Sequence, residues 1–203
     1  MLRRLWHLLA WPGAEDDPAF LEEIRRRVAT GCRVIGWVMA GVPLLMSLLI
    51  WLLGAAMPTP PGAAALVICI SALGGAALLA ARIPGVLRHG RLLGWWLALL
   101  VAGCLSWSSI LRAAEQPSIL YLVNAQTAVV ILIALLSLPF KPLHVLLLGL
   151  SIQAFYYLSY RLAVYSGIMA PVEGAGVNLV FLSMLTALST AVAVNVYRQI
   201  HET

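Results

Sequence analysis

Residues 119–164 read ILYLVNAQTAVVILIALLSL, then PFK, then PLHVLLLGLSIQAFYYLSYRLAV. Two apolar runs, 119–138 and 142–164, are therefore parted by a very short link. Crossing about 30 Å of hydrocarbon at about 1.5 Å per residue takes about 20 mostly apolar residues, so each run is long enough to span a bilayer. Pro139 and Pro142 frame the gap. Proline ends a helix because it lacks an amide hydrogen and collides with the preceding turn. The pattern predicts two membrane helices packed as a tight antiparallel pair.

The same length rule, carried outward, finds four more runs at 32–54, 62–81, 92–111 and 175–197. Met57-Pro58-Thr59-Pro60-Pro61-Gly62, Pro84-Gly85, Gln116-Pro117-Ser118 and the pair Pro171 and Gly174 mark the breaks, and such clusters punctuate helices. Composition agrees: of 203 residues, 62% are hydrophobic and 10% charged, against about 25% charged in a soluble domain. The expected fold is all-α, an integral membrane bundle of six transmembrane helices. It divides into a cytoplasmic lead-in at 1–31, the membrane domain at 32–197, and the start of a cytoplasmic helical linker at 198–203.

Charge sets the orientation. With the N-terminus inside, eleven basic residues fall on the cytoplasmic side: Arg3, Arg4, Arg25, Arg26, Arg27, Arg33, Arg82, Arg88, Arg91, Lys141 and Arg198. Only Arg112 and Arg161 fall outside, which accounts for all 13 Lys and Arg. The positive-inside rule then places both termini in the cytoplasm. Richness in arginine and alanine with a single lysine points to a bacterium with a GC-rich genome, hence to the inner membrane. The net charge of +5 sits at the ends of apolar runs, which fits topology and anionic headgroups rather than nucleic acid.

The lead-in has two parts. Leu2 to Trp11 is short, basic and tryptophan-bearing, as an interfacial helix is, and an acidic loop follows it instead of a signal-peptide cleavage site. Asp17-Pro18 then reads as N-cap and first helical residue. Leu21, Ile24 and Val28 fall on one face of the amphipathic helix that follows, whose acidic start and basic end suit the helix dipole.

Ionisable groups inside a span are costly and mark function, yet the six span cores hold no Asp, Glu or Lys. That argues against a proton pump, a carboxylate relay and intramembrane metal hydrolysis. No GxSxG, HExxH or P-loop pattern occurs. His7, His89, His144 and His201 do not pair at helical spacing, and Cys32, Cys69 and Cys104 read as buried free thiols. The chain is expected to be no enzyme itself and to carry no catalytic residue, metal or cofactor.

Uncharged polar residues are graded by depth. Ser106, Ser108 and Ser109 lie toward the outer end of span three, and Asn124, Gln126 and Thr127 in the outer half of span four. Span five carries Gln153, Tyr156, Tyr157, Tyr160 and Arg161, and span six carries Asn178. Gly149, Gln153, Tyr157 and Arg161 recur at every fourth position and so share a face. Asn124, Gln126, Gln153, Tyr156, Tyr157, Tyr160, Arg161 and Asn178 form a candidate pocket for a small molecule from the outer side, with the arginine meeting an acidic or carbonyl group. The alternative is interhelical hydrogen bonding with a tyrosine belt.

Small residues recur as well. Gly94, Ala98, Ala102 and Ser106 on span three, and Ser183, Ala187, Ala191 and Asn195 on span six, stand at fourth positions that let backbones approach. The span-six set reads either as packing within one bundle or as the seam of a homodimer pinned by Asn195.

The sixth span continues without a Pro or Gly break through Asn195-Val196-Tyr197-Arg198-Gln199-Ile200-His201-Glu202-Thr203. With the lead-in, six spans on short loops and the Leu138-Pro139-Phe140-Lys141-Pro142 turn, this layout resembles the N-terminal membrane domains of bacterial signalling proteins. Membrane-anchored class III adenylyl cyclases and six-span sensor histidine kinases of the quorum-sensing type are the families concerned. The resemblance implies a dimer, a ligand-modulated output, and a cytoplasmic output domain beyond Thr203 where any catalysis would reside. No phosphorylatable-histidine box, nucleotide-binding domain or cyclase domain occurs within these residues. The rival expectations are a small transport protein or transporter subunit holding cargo at the same polar cluster, and an assembly factor with no ligand.

Overall fold

The structure, a computed structural model, describes residues 18–52, 63–83, 89–114, 120–138, 140–172 and 174–202. These form six helices and no strand: α1 (Pro18–Leu52), α2 (Ala63–Ala80), α3 (Gly90–Ala113), α4 (Leu122–Ser137), α5 (Pro142–Tyr165) and α6 (Ala175–Glu202). The expected interfacial helix at Leu2 to Trp11 and most of the proline-bearing links lie outside the described residues. Four helices, α1, α3, α5 and α6, contain stretches long and apolar enough to cross a membrane, while α2 and α4 are apolar but shorter. Outward-facing side chains include Trp37, Trp51, Ile68, Leu158, Met184 and Leu188, all exposed. A soluble protein rarely bares so continuous an apolar surface, and lipid is the solvent that suits it.

The expected boundary between lead-in and first span, at 31/32, falls inside a helix. α1 is a single helix of 35 residues, so the amphipathic segment after Pro18 and the first apolar run are continuous. The residues at the expected boundary explain why. Gly31 disfavours a helix interior by about 1 kcal/mol, but Ile24, Val28, Cys32, Ile35 and Met39 on either side of it are all buried on one face. Their combined burial outweighs one glycine. On the opposite face Arg25 pairs with Glu22 at 3.5 Å and Arg27 with Glu23 at 2.6 Å. Exposed helical pairs of this kind contribute only about 0.3–0.5 kcal/mol each.

α1 packs most closely on α2, and glycines make that approach possible. A Cβ placed on Gly74 would collide with the Ala40 amide nitrogen and stand 2.8 Å from the Gly36 carbonyl oxygen. Only backbone without side chains fits there, the close contact that drives helix association in lipid.

α4 and α5 are not the tight pair their short link predicts. Both lean on α3 instead; α4 also touches α1 and α6, and α5 touches α6. Leu138 leaves α4 with φ −128° and ψ 132°, its carbonyl accepts from the Phe140 amide at 2.8 Å, and Lys141 enters α5 with φ −60° and ψ 145°. Leu138 and Phe140 are 2% and 3% exposed, and Leu138 fills the space that Gly94 of α3 leaves vacant. Pro142 then opens α5 at a position that tolerates its missing donor.

Buried residues fall into two clusters. One runs from Ile24 through Met39, Ala98 and Leu148 to Tyr197. The other gathers Ile110, Leu120, Tyr156, Met169 and Leu182 where α3 ends and α6 begins. Polar side chains meet where these two clusters adjoin.

Candidate functional site

Asn178 stands one turn into α6 and is fully buried. Its carboxamide has two donor hydrogens and one acceptor oxygen, and the structure engages all of them. Nδ2 donates to the Leu120 carbonyl and to the Tyr156 hydroxyl, both at 3.0 Å. Oδ1 accepts from Asn124 Nδ2 at 2.8 Å. Three elements, α4, α5 and α6, are therefore tied at one side chain.

Around it lie three further ties. Ser109 of α3, buried, donates to Gln126 Oε1 at 2.9 Å. The Tyr160 hydroxyl accepts from the Val172 amide at 2.9 Å, holding the α5–α6 connection against α5. The Tyr156 and Tyr160 rings stack with centroids 6.4 Å apart. Gly174 turns this connection with φ of +93°, and a Cβ there would stand 2.6 Å from the Tyr121 hydroxyl. That position suits glycine on both counts.

Deeper in the bundle, Gln153 bridges α5 to α6. Its Nε2 donates to Thr186 Oγ1 at 3.0 Å, and its Oε1 lies 2.9 Å from Ser183 Oγ. The single Ser183 hydrogen serves either Gln153 or the Leu179 carbonyl at 2.8 Å. Gly149 permits this seam, since a Cβ there would run into the Thr186 side chain.

Asn124, Tyr156 and Asn178 thus share one hydrogen-bonded cluster, with Tyr160 stacked on Tyr156, while Gln126 and Gln153 make separate interhelical bonds to Ser109 and to Thr186 and Ser183. Tyr157 and Arg161 are not part of that cluster; both are exposed on the outer face of α5. Sequence reasoning passed over Thr186, only 4% exposed, and Leu120, whose carbonyl is an anchor. Thr186 follows Leu182 and Asn178 at fourth positions, a spacing that could have exposed it. Among the described buried atoms, Asn124 Oδ1 and Ser106 Oγ have no hydrogen-bond partner.

The two small-residue sets separate cleanly. Gly94, Ala98, Ala102 and Ser106 are all buried in the bundle, whereas Ser183, Ala187, Ala191 and Asn195 all lie on the exposed side of α6. Cys32 is buried as expected, but Cys69 is exposed on α2 and Cys104 half-buried. Among the described residues, no three His, Cys, Asp or Glu side chains converge.

At the other end of α6, Tyr197 is fully buried and the Arg91 guanidinium lies 5.9 Å from its ring centroid. Trp95 of α3 donates to the His144 carbonyl of α5 at 3.1 Å. No protein-family model, curated protein or solved structure matches the chain.

Proposed function

We propose that the chain is a six-span sensor domain of a bacterial inner membrane, with both termini cytoplasmic, and that it works as a dimer. In this reading α2 and α4 complete the set of spans, their shorter length being met by local bilayer thinning. The eleven-to-two division of basic residues supports the orientation.

One observation carries the sensing role: α6 is an unbroken helix of 28 residues held at both ends by buried side chains. Asn178 ties its outer end to α4 and α5, and Tyr197 seats its inner end beside Arg91. A signal from outside or from the lipid phase that competes for the Asn178 and Gln153 bonds favours one bundle arrangement over another. α6 then carries the shift to a cytoplasmic output domain as a rigid displacement. The exposed row Ser183, Ala187, Ala191 and Asn195 is where a second copy would pack.

Spin labels at Asn195 and Arg82, both exposed, test the relay in liposomes. Asn178→Leu should move the distance between them by about 1–2 Å, the scale of helix shifts in known switches. An unchanged distance distribution would sink the relay. Disulfide crosslinking of Asn195→Cys tests the dimer. A water-soluble maleimide added outside should label Arg161→Cys and leave Asn195→Cys untouched.

A further inference from the structure

Apart from the polar region, α1, α2, α3 and α4 enclose a cavity of about 210 Å³. Its inner wall includes Met39, Ala98, Val101 and Ala134, all buried, while Val42 and Val129 at its edge are about half exposed. Every one of the lining side chains is apolar. Small residues create the room, since Ala98 and Ala134 stand where larger side chains would fill it. Pro43 also lines the space and cannot donate to the Met39 carbonyl, so α1 lacks one of its own bonds at the cavity wall.

An engineered apolar cavity of about 150 Å³ stays dry and takes benzene, so this one holds on the order of eight aliphatic carbons. Its edge residues, Val42 and Val129, stand well inside α1 and α4, away from the helix ends where headgroups lie. Without a polar or charged lining side chain, nothing there can hold a headgroup or water. What reaches that depth from the side, without a polar part, is the methyl end of a lipid chain. We infer that the cavity between α1 and α4 receives the terminal segment of a membrane acyl chain, so that the bilayer's own chains act as a ligand wedged between the α1–α2 and α3–α4 pairs. This rests on the membrane-spanning reading and is independent of any relay through α6.

The full chain, reconstituted in phosphatidylcholine vesicles, can be photolabelled with a phospholipid carrying a diazirine near its chain end. A parallel sample receives a short photoreactive alkane without a headgroup. Mass spectrometry should find the phospholipid label on Met39 and Val101, which bulk lipid does not reach, as well as on the exposed Trp96 and Leu100. Ala98→Leu and Ala134→Leu should lower labelling of Met39 by about tenfold by filling the cavity. Val101→Ala, which enlarges it, should keep or raise that labelling, so loss of signal through misfolding is distinguishable. Phospholipid label confined to Trp96 and Leu100 overturns the proposal, and so does a cavity labelled only by the short alkane. Absence of label on Trp96 and Leu100 too would overturn the membrane-spanning reading itself.

Discussion

Asn178 Nδ2 donates to the Tyr156 hydroxyl at 3.0 Å, joining two fully buried side chains of α6 and α5. Because the same carboxamide also serves Leu120 and Asn124, replacing it leaves several groups unpaired at once. Asn178→Leu should destabilise the bundle by about 1–3 kcal/mol, the range for stranding buried polar partners. Tyr156→Phe removes one bond and should cost about 0.6 kcal/mol, the average for interhelical bonds in a membrane protein. Reversible unfolding in bicelles measures both; equal effects would show that Asn178 is no hub.

Gln153 and Tyr157 differ by one helical turn on α5 but face different surroundings. Gln153→Leu breaks the bridge to Thr186 and Ser183, with an expected loss of about 1 kcal/mol. Tyr157→Phe and Arg161→Ala alter exposed side chains and should stay within about 0.5 kcal/mol of the parent. A larger effect at Arg161 in the same assay would place it in the network after all.

Two adjacent glycines of α2 provide an internal control. Gly74→Ala drives a methyl group into the α1 backbone, whereas nothing stands within 4 Å of a Cβ at Gly75. Gly74→Ala should lower stability by about 1–3 kcal/mol, as overpacking does, and Gly75→Ala should be neutral or stabilising, since alanine favours helix. Thermal unfolding in detergent compares them, and an inverted order would contradict the packing of α1 on α2.

The α5–α6 seam can be tested by a double-mutant cycle. Gly149→Ala meets the Thr186 side chain and should destabilise by about 1–3 kcal/mol. Thr186→Ala removes the obstacle, so the two changes should couple by at least about 0.5 kcal/mol. Strict additivity would mean that the helices do not approach as closely as described.

Much of the helix layout was legible because length and apolarity are local properties. The runs at 62–81, 92–111 and 142–164 match α2, α3 and α5 to within about two residues. Side-chain facing was less legible, and α5 shows why. A step of four residues overshoots one turn by about 40°, so three steps from Gly149 to Arg161 rotate by about 120°. Gly149 and Gln153 therefore meet α6 while Tyr157 and Arg161 have turned outward. The face that stays inward steps by four, three and four through Ile152, Tyr156, Ser159 and Ala163. The position of α5 beside α3 was hidden for another reason: link length in residues does not reveal which neighbour each helix will lean on. The apolar cavity left only faint traces, in Ala98, Ala134 and Pro43.

Asn124 and Asn178 are 54 residues apart in sequence. On the six-span reading proposed above, a chain inserted as it is synthesised would place α4 in the bilayer before its polar partner on α6 has been made. At about 5–20 residues per second, the wait is roughly three to eleven seconds. For that interval Asn124 needs a surrogate, whether water at the headgroups, the insertion machinery or a chaperone. The Asn124–Asn178 bond therefore closes only after α6 has been made, so it is among the last polar contacts of the bundle to form.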